Sequence, residues 1–227
     1  MFLFDTGYLL FVIPAMVFAM WAQFKVKSTY ATYAQVYSRS GRTAAEVAAS
    51  LLGYAGIRDV RIEQVPGALT DHYDPRNRTL RLSGEVYGGR SVAALSIAAH
   101  EVGHAVQHAV GYSPLSIRNG LVPVVQFTSN AAWPLFLVGF LAQSGFLMDL
   151  GILFFLGAVV FQVITLPVEY NASRRAMDML LASGYVGPDE SVVVGNMLNA
   201  AALTYVAATA VAVAQFLRLL LIRDRRR

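Results

Sequence analysis

His100 and His104, with Glu101 between them, are the residues of this 227-residue sequence whose types and spacing best support chemistry. They form His100-Glu101-Val102-Gly103-His104, a His-Glu-x-x-His pattern. Ser91 can cap a helix that carries the pattern to about Val110, where Gly111 and Pro114 stop it. On such a helix, residues four apart lie about 40° apart around the axis and one turn along it. Both imidazoles then reach a single cation at bond lengths of about 2.0–2.1 Å. Zinc (Zn2+) is the ion these ligand types favour. A water activated by that ion needs a base, and Glu101, next to the first ligand, is placed to take its proton and pass it to a leaving amine.

The bland alternative is a polar stripe on an ordinary helix. Against it, the chain has only four His, and three of them (His100, His104, His108) fall within nine residues. Small residues around the pattern (Ala98, Ala99, Gly103, Ala105) also let another element pack closely against it.

A hydrolytic zinc site usually has three protein ligands and an open position. His108 is one candidate for the third, but a straight helix puts it about 12 Å from His100 by rise. It is read rather as a support for the site or as helix surface. Glu169 is the other candidate. It opens Glu169-Tyr170-Asn171-Ala172-Ser173-Arg174-Arg175-Ala176 just after Pro167, and its bland reading is an acid favoured at a helix N-terminus.

The elements that must position these groups are set by the apolar pattern. Residues 1–24 are nearly all apolar and are followed by Lys25 and Lys27. That is long enough to cross a bilayer, and it lacks the basic start and small-residue cleavage site of a signal peptide, so a retained anchor is expected. Residues 25–118 form a polar lobe. In it, Thr43 and Glu46 match a capping box for a helix through Leu52, and residues 60–65 and 79–82 alternate as strands do. Residues 71–78 are rich in turn formers and read as the loop of a strand–loop–strand unit. Residues 119–168 form a helical hairpin of two apolar runs joined at Gln143-Ser144-Gly145. Residues 169–196 hold the candidate third ligand, on a helix ending at Gly184. Residues 197–227 are a transmembrane or re-entrant helix with an Arg-rich tail. Two crossings separate His104 from Glu169, so both emerge on the same side of the bilayer.

Composition agrees with a membrane protein. Hydrophobic residues are 56% and charged ones 14%, with mean hydropathy +0.50. A soluble domain carries about a quarter charged residues. The expected fold class is mainly α: a transmembrane helical bundle with a zincin-like metal helix and a small β-unit at the membrane surface. Cysteine is absent, which excludes disulfides and thiolate chemistry and leaves His and carboxylate to hold any metal. The net charge of +4 comes from basic residues that flank apolar runs. This points to a membrane surface and not to nucleic acid.

Several separated segments resemble the YugP-like family of bacterial membrane zinc metallopeptidases: residues 67–75, residues 80–83, residues 99–108, and Leu166-Pro167-Val168-Glu169 continued to Ala176. More distantly the chain is similar to the HtpX-like and CAAX-prenyl-protease group of membrane gluzincins. The resemblance implies that the third ligand is a Glu on a later helix, and that role falls on Glu169. Ser173 stands near the place where the distant group usually has an Asp, which leaves open what supports the ligands there. For the oxyanion of the tetrahedral intermediate, Arg174 or Arg175 and His72 are candidates, and Asn171 is a candidate for that role or for support of the ligands. Arg174 and Arg175 are equally suited to lipid phosphate, and His72 to a surface turn.

The expected activity is zinc-dependent endoproteolysis of membrane or unfolded proteins. The alternative is a non-catalytic, metal-containing membrane scaffold or chaperone partner, and an intact Glu101 argues against it. The expected partners are a protein or peptide substrate, the lipid bilayer and a membrane-protein partner. Lys25, Lys27, Arg118, Arg174 and Arg175 flank spans on the active-site face and place it in the cytoplasm of a bacterial cell. The Arg-rich C-terminus argues the other way.

Overall fold

The computed structural model describes residues 5–225, so residues 1–4 of the expected anchor and Arg226 and Arg227 of the tail lie outside the described chain. A π-helical turn, Tyr8–Val12, leads into α1 (Ile13–Tyr33). There follow α2 (Ala44–Tyr54), β1 (Arg61–Val65), β2 (His72–Asp74), β3 (Thr79–Ser83), α3 (Gly84–Tyr87), α4 (Val92–Ala109), α5 (Ser113–Leu141), α6 (Gly145–Ala182) and α7 (Pro188–Asp224). The protein is mainly helical with one small sheet. Four of its helices, Tyr8–Tyr33, Ser113–Leu141, Gly145–Ala182 and Pro188–Asp224, are long and apolar enough to cross a membrane. The chain divides into two compact units.

One unit comprises Met1–Gln23, Ser116–Pro167 and Leu203–Arg227. Its α5–α6 hairpin turns at Gln143, which adopts φ 55°. The two helices touch backbone to backbone at glycines. A Cβ on Gly151 would lie 2.7 Å from the Phe136 nitrogen, and one on Gly139 would lie 2.6 Å from the Met148 nitrogen. Such close approach replaces the missing hydrophobic drive between helices in lipid by dispersion contact. Two ion pairs tie other parts of this unit to α7. Arg218, 4% exposed, donates through Nε to Asp5 at 2.9 Å, and Arg223 donates to both oxygens of Asp149 at 2.7 and 2.8 Å.

The other unit comprises Phe24–Leu115 and Val168–Ala202. The Thr43 hydroxyl accepts from the Glu46 N–H, and the Glu46 carboxylate accepts from the Thr43 N–H, so the capping box forms and starts α2. Val47, Leu51, Leu80, Leu82 and Leu95 are fully buried and knit α2, β3 and α4 into one core. Each such aliphatic side chain contributes about 1.5–3 kcal/mol on burial.

The sheet has the order β1-β3-β2, with β1 parallel and β2 antiparallel to β3. Two expectations are corrected in this unit. First, residues 72–74, expected to be part of a loop, form the edge strand β2, in register with His72 opposite Arg81. The turn chemistry that suggests a loop is confined to residues 74–78. There Asp74 accepts from the backbone of Arg76 and Asn77, and Arg78 at φ 48° closes the hairpin. Second, Glu169 does not begin a helix. The third apolar run and the polar segment after it are one 38-residue helix, α6, with Pro167 inside it. Proline removes one backbone donor, and membrane helices tolerate that loss.

Candidate metal centre

Helix α4 begins where Ser91 accepts from the Ala94 N–H at 3.2 Å, and it ends where Gly111 takes φ 64°. The His-Glu-x-x-His segment therefore sits inside a continuous helix. Its Gly103 lies against α6. A Cβ there would come 2.6 Å from the Ala172 carbonyl oxygen and 3.2 Å from its Cα. The small residue thus lets α6 approach α4 backbone to backbone, and Glu169 stands one turn before that contact.

The consequence is a cluster of three ligand-type groups. One atom each of His100, His104 and Glu169 lies within 4.8 Å of the others. Glu169 Oε2 faces both rings, at 3.3 Å from His100 Nε2 and 3.4 Å from His104 Nε2. The two rings stand edge to face with centroids 4.8 Å apart. Charge-assisted hydrogen bonds are shorter, at about 2.7–2.9 Å. Donors at the corners of a tetrahedron with bonds of about 2.05 Å sit about 3.3 Å apart. The spacing fits a zinc-sized cation between these atoms.

The electrostatics fit as well. Glu169 is 2% exposed, and a carboxylate buried to that degree needs positive charge beside it. Burial disfavours a charged His104, but the contact of its Nε2 with the accepting Glu169 carboxylate, the negative charges of Glu101 and Glu169 and the contact with Gln107 outweigh it. The His104 pKa is raised above the ordinary histidine value. The field at this point favours a cation.

Each ring is held on its far nitrogen. Ser173 Oγ lies 3.2 Å from His100 Nδ1, and Gln107 Oε1 lies 3.0 Å from His104 Nδ1. Both contacts leave Nε2 directed at the common point. Sequence reasoning missed both roles. For Ser173 a signal exists: it lies one turn beyond Glu169 on the same face of α6, so helical spacing alone marks it.

Glu101 is 8% exposed, and its carboxylate has no hydrogen bond or ion pair among the described residues. Its charge is felt by Asp71, whose carboxyl burial pushes up, against lowering hydrogen bonds from the Ser83 N–H and hydroxyl.

The other sequence candidates lie elsewhere. His108 Nδ1 pairs with the Tyr73 hydroxyl at 2.9 Å and lines a separate cavity of about 270 Å³ with Asp59 and Arg78. His72 is exposed on β2, where its Nδ1 contacts the Thr70 carbonyl at 2.9 Å. Asn171 does reach the centre's surroundings, since its Oδ1 accepts from Gln107 Nε2 at 3.0 Å and from Arg175 Nε at 2.8 Å. Arg174 is exposed and has no hydrogen bond or ion pair among the described residues.

Four membrane-length helices together with a His-His-Glu cluster of this spacing make a membrane protein that could hold a zinc-sized ion. Comparison with known proteins gives the family. Residues 8–224 match the family described as "Putative neutral zinc metallopeptidase", and the chain belongs to it. The chain is also similar to the "Putative membrane protease YugP" of Bacillus subtilis (strain 168). The two are 49% identical over 215 residues, which cover 95% of this chain and 96% of that protein. No solved structure matches the chain. The protein is thus an integral membrane protein of a zinc-dependent protease family, and its cofactor is Zn2+.

Proposed function

We propose that this protein is an endopeptidase of the gluzincin type, with zinc held by His100, His104 and Glu169 and with Glu101 as the general base. The observation that carries the reading is the convergence of two imidazole Nε2 atoms from α4 on one carboxylate oxygen from α6, at 3.3 and 3.4 Å. When bound, zinc supplies Lewis acidity that polarises a carbonyl and acidifies water. Glu101 takes a proton at its carboxylate and returns it to the leaving amine, which its lack of a competing partner permits. Ser173 and Gln107 keep the rings from rotating. Burial of Glu169 excludes bulk water from the ligand side of the site.

The substrates are membrane or unfolded proteins cleaved close to the bilayer surface. Glu169 immediately follows the apolar run of residues 146–168, which is about the length needed to cross the hydrocarbon core. The active-site face is cytoplasmic. Lys25, Lys27, Arg174 and Arg175 support this under the positive-inside bias. Of the Arg-rich C-terminus, which argues the other way, Arg223 is ion-paired with Asp149. The absence of native cysteine makes single-cysteine labelling from either side of the membrane a direct check on orientation.

The functional test uses the full chain in lipid with an unfolded membrane-protein substrate. Cleavage is expected to stop with a chelator, to return with added zinc, and to be abolished by Glu101→Gln, which still binds zinc. Cleavage by Glu101→Gln at the wild-type rate would remove Glu101 from its role.

A further inference from the structure

Gln107 is fully buried, and every polar atom of its side chain is engaged. Its Nε2 donates to the Val168 carbonyl at 2.8 Å and to Asn171 Oδ1 at 3.0 Å, and its Oε1 faces His104 Nδ1 at 3.0 Å. Asn171 Oδ1 in turn accepts from Arg175 Nε at 2.8 Å. A hydrogen-bonded chain of side chains thus runs Arg175–Asn171–Gln107–His104 entirely within one unit of the fold.

The protons in this chain can point only one way. A guanidinium is always protonated and has donors alone. Asn171 must therefore offer its oxygen to Arg175, and that same oxygen must be met by a donor from Gln107. The Val168 carbonyl, an acceptor only, makes the same demand on Gln107. The Gln107 amide is consequently fixed with its oxygen toward His104, and His104 must carry its proton on Nδ1. That leaves Nε2 as the nitrogen turned toward Glu169, at 3.4 Å, with no demand on it from the chain.

We infer that Gln107, Asn171 and Arg175 are positioning residues that keep a proton on His104 Nδ1, so that Nε2 is the nitrogen left to ligate the metal. The inference rests on His104 being a metal ligand. Without the chain, a neutral His104 divides between two tautomers, and one of them presents an N–H where the ligand lone pair is needed. Contacts of this kind are worth about 10–100-fold in metal affinity.

The test measures zinc affinity of the full chain in lipid by chelator competition, with the melting temperature of the metal-free protein followed alongside. Gln107→Met is expected to weaken zinc binding about 10–100-fold. Asn171→Asp keeps acceptor oxygens for both neighbours and is expected to bind within about threefold of wild type, whereas Asn171→Leu falls toward Gln107→Met. Arg175→Met weakens binding less, Arg175→Lys restores it, and Gln107→Met with Arg175→Met binds no more weakly than Gln107→Met alone. A merely structural role would instead make the two losses add, and would show in the metal-free melting temperature. Additive losses, or equal effects of Asn171→Asp and Asn171→Leu, would overturn the inference. Should Gln107→Met fail to fold, the Asn171 and Arg175 comparisons decide it alone. Failure of the metal reading itself would look different: His104→Ala would then bind zinc as wild type does.

Discussion

Replacing Gly103 by alanine tests how the site is built, because two effects of opposite sign compete. In a helix interior alanine is favoured over glycine by about 1 kcal/mol, so in an isolated α4 the change would stabilise. In the folded protein the new methyl carbon would lie 2.6 Å from the Ala172 carbonyl oxygen and 3.1 Å from its carbon. Carbon–oxygen contacts of this kind relax to about 3.3 Å, so α6 must retreat by about 0.7 Å. Metal–ligand distances tolerate about 0.2 Å. Glu169 rides on α6 one turn away, and a retreat of that size pulls its carboxylate out of reach of an ion held by the two rings. Overpacking costs about 1–3 kcal/mol, which corresponds to roughly 5–150-fold in zinc affinity. Chelator competition on the full chain in lipid reads that loss, and the metal-free melting temperature reads the stability change. A Gly103→Ala protein that melts higher than wild type and binds zinc equally well would refute the reasoning, since the helices would then not be in backbone contact.

Two further outcomes are expected. Ser173→Ala frees the His100 ring on its Nδ1 side, and zinc affinity is expected to fall about 10-fold, whereas Ser173→Thr retains most of it; an unchanged affinity in the alanine variant would remove Ser173 from the site. Asp74 is held at a pKa of about 2 by hydrogen bonds from Asn77, Arg81 and the turn backbone. Its ionised form therefore stabilises the fold at all pH values above its unfolded pKa near 3.8, and the contribution disappears as pH falls through about 2. The shift corresponds to about 2 kcal/mol, reduced to about 1 by partial exposure to solvent. Asp74→Asn is thus expected to lower the melting temperature near neutral pH, with the gap to wild type closing in acid; a gap that stays constant down to pH about 2 would contradict the assignment.

What the sequence discloses and what it conceals divide along a physical line. Signals that act within one turn or one hairpin are legible. Examples are the Thr43–Glu46 box, the Ser91 cap, the Gly111 stop, the alternation of residues 79–82 and the His-Glu-x-x-His spacing. The length of the apolar runs likewise marks four helices that could cross a bilayer. Concealed are the features that depend on α4 meeting α6. Helical spacing puts Ser173 on the face of Glu169 but does not say that it reaches His100, and nothing local says that Gln107 reaches His104 or that Arg175 rather than Arg174 turns inward to Asn171. Strand β2 is hidden for a related reason. A three-residue edge strand takes its conformation from its partner β3, while its own residues advertise a turn. The long α6 is obscured because composition changes sharply at Glu169 although the backbone does not.

The most direct measurement is the zinc content of the purified full chain beside Glu169→Ala and His108→Ala. The account predicts about one zinc per chain for wild type and for His108→Ala, and its loss from Glu169→Ala. Full retention of zinc by Glu169→Ala, or its loss from His108→Ala with the fold intact, would contradict a centre made of two imidazoles from α4 and the carboxylate of α6.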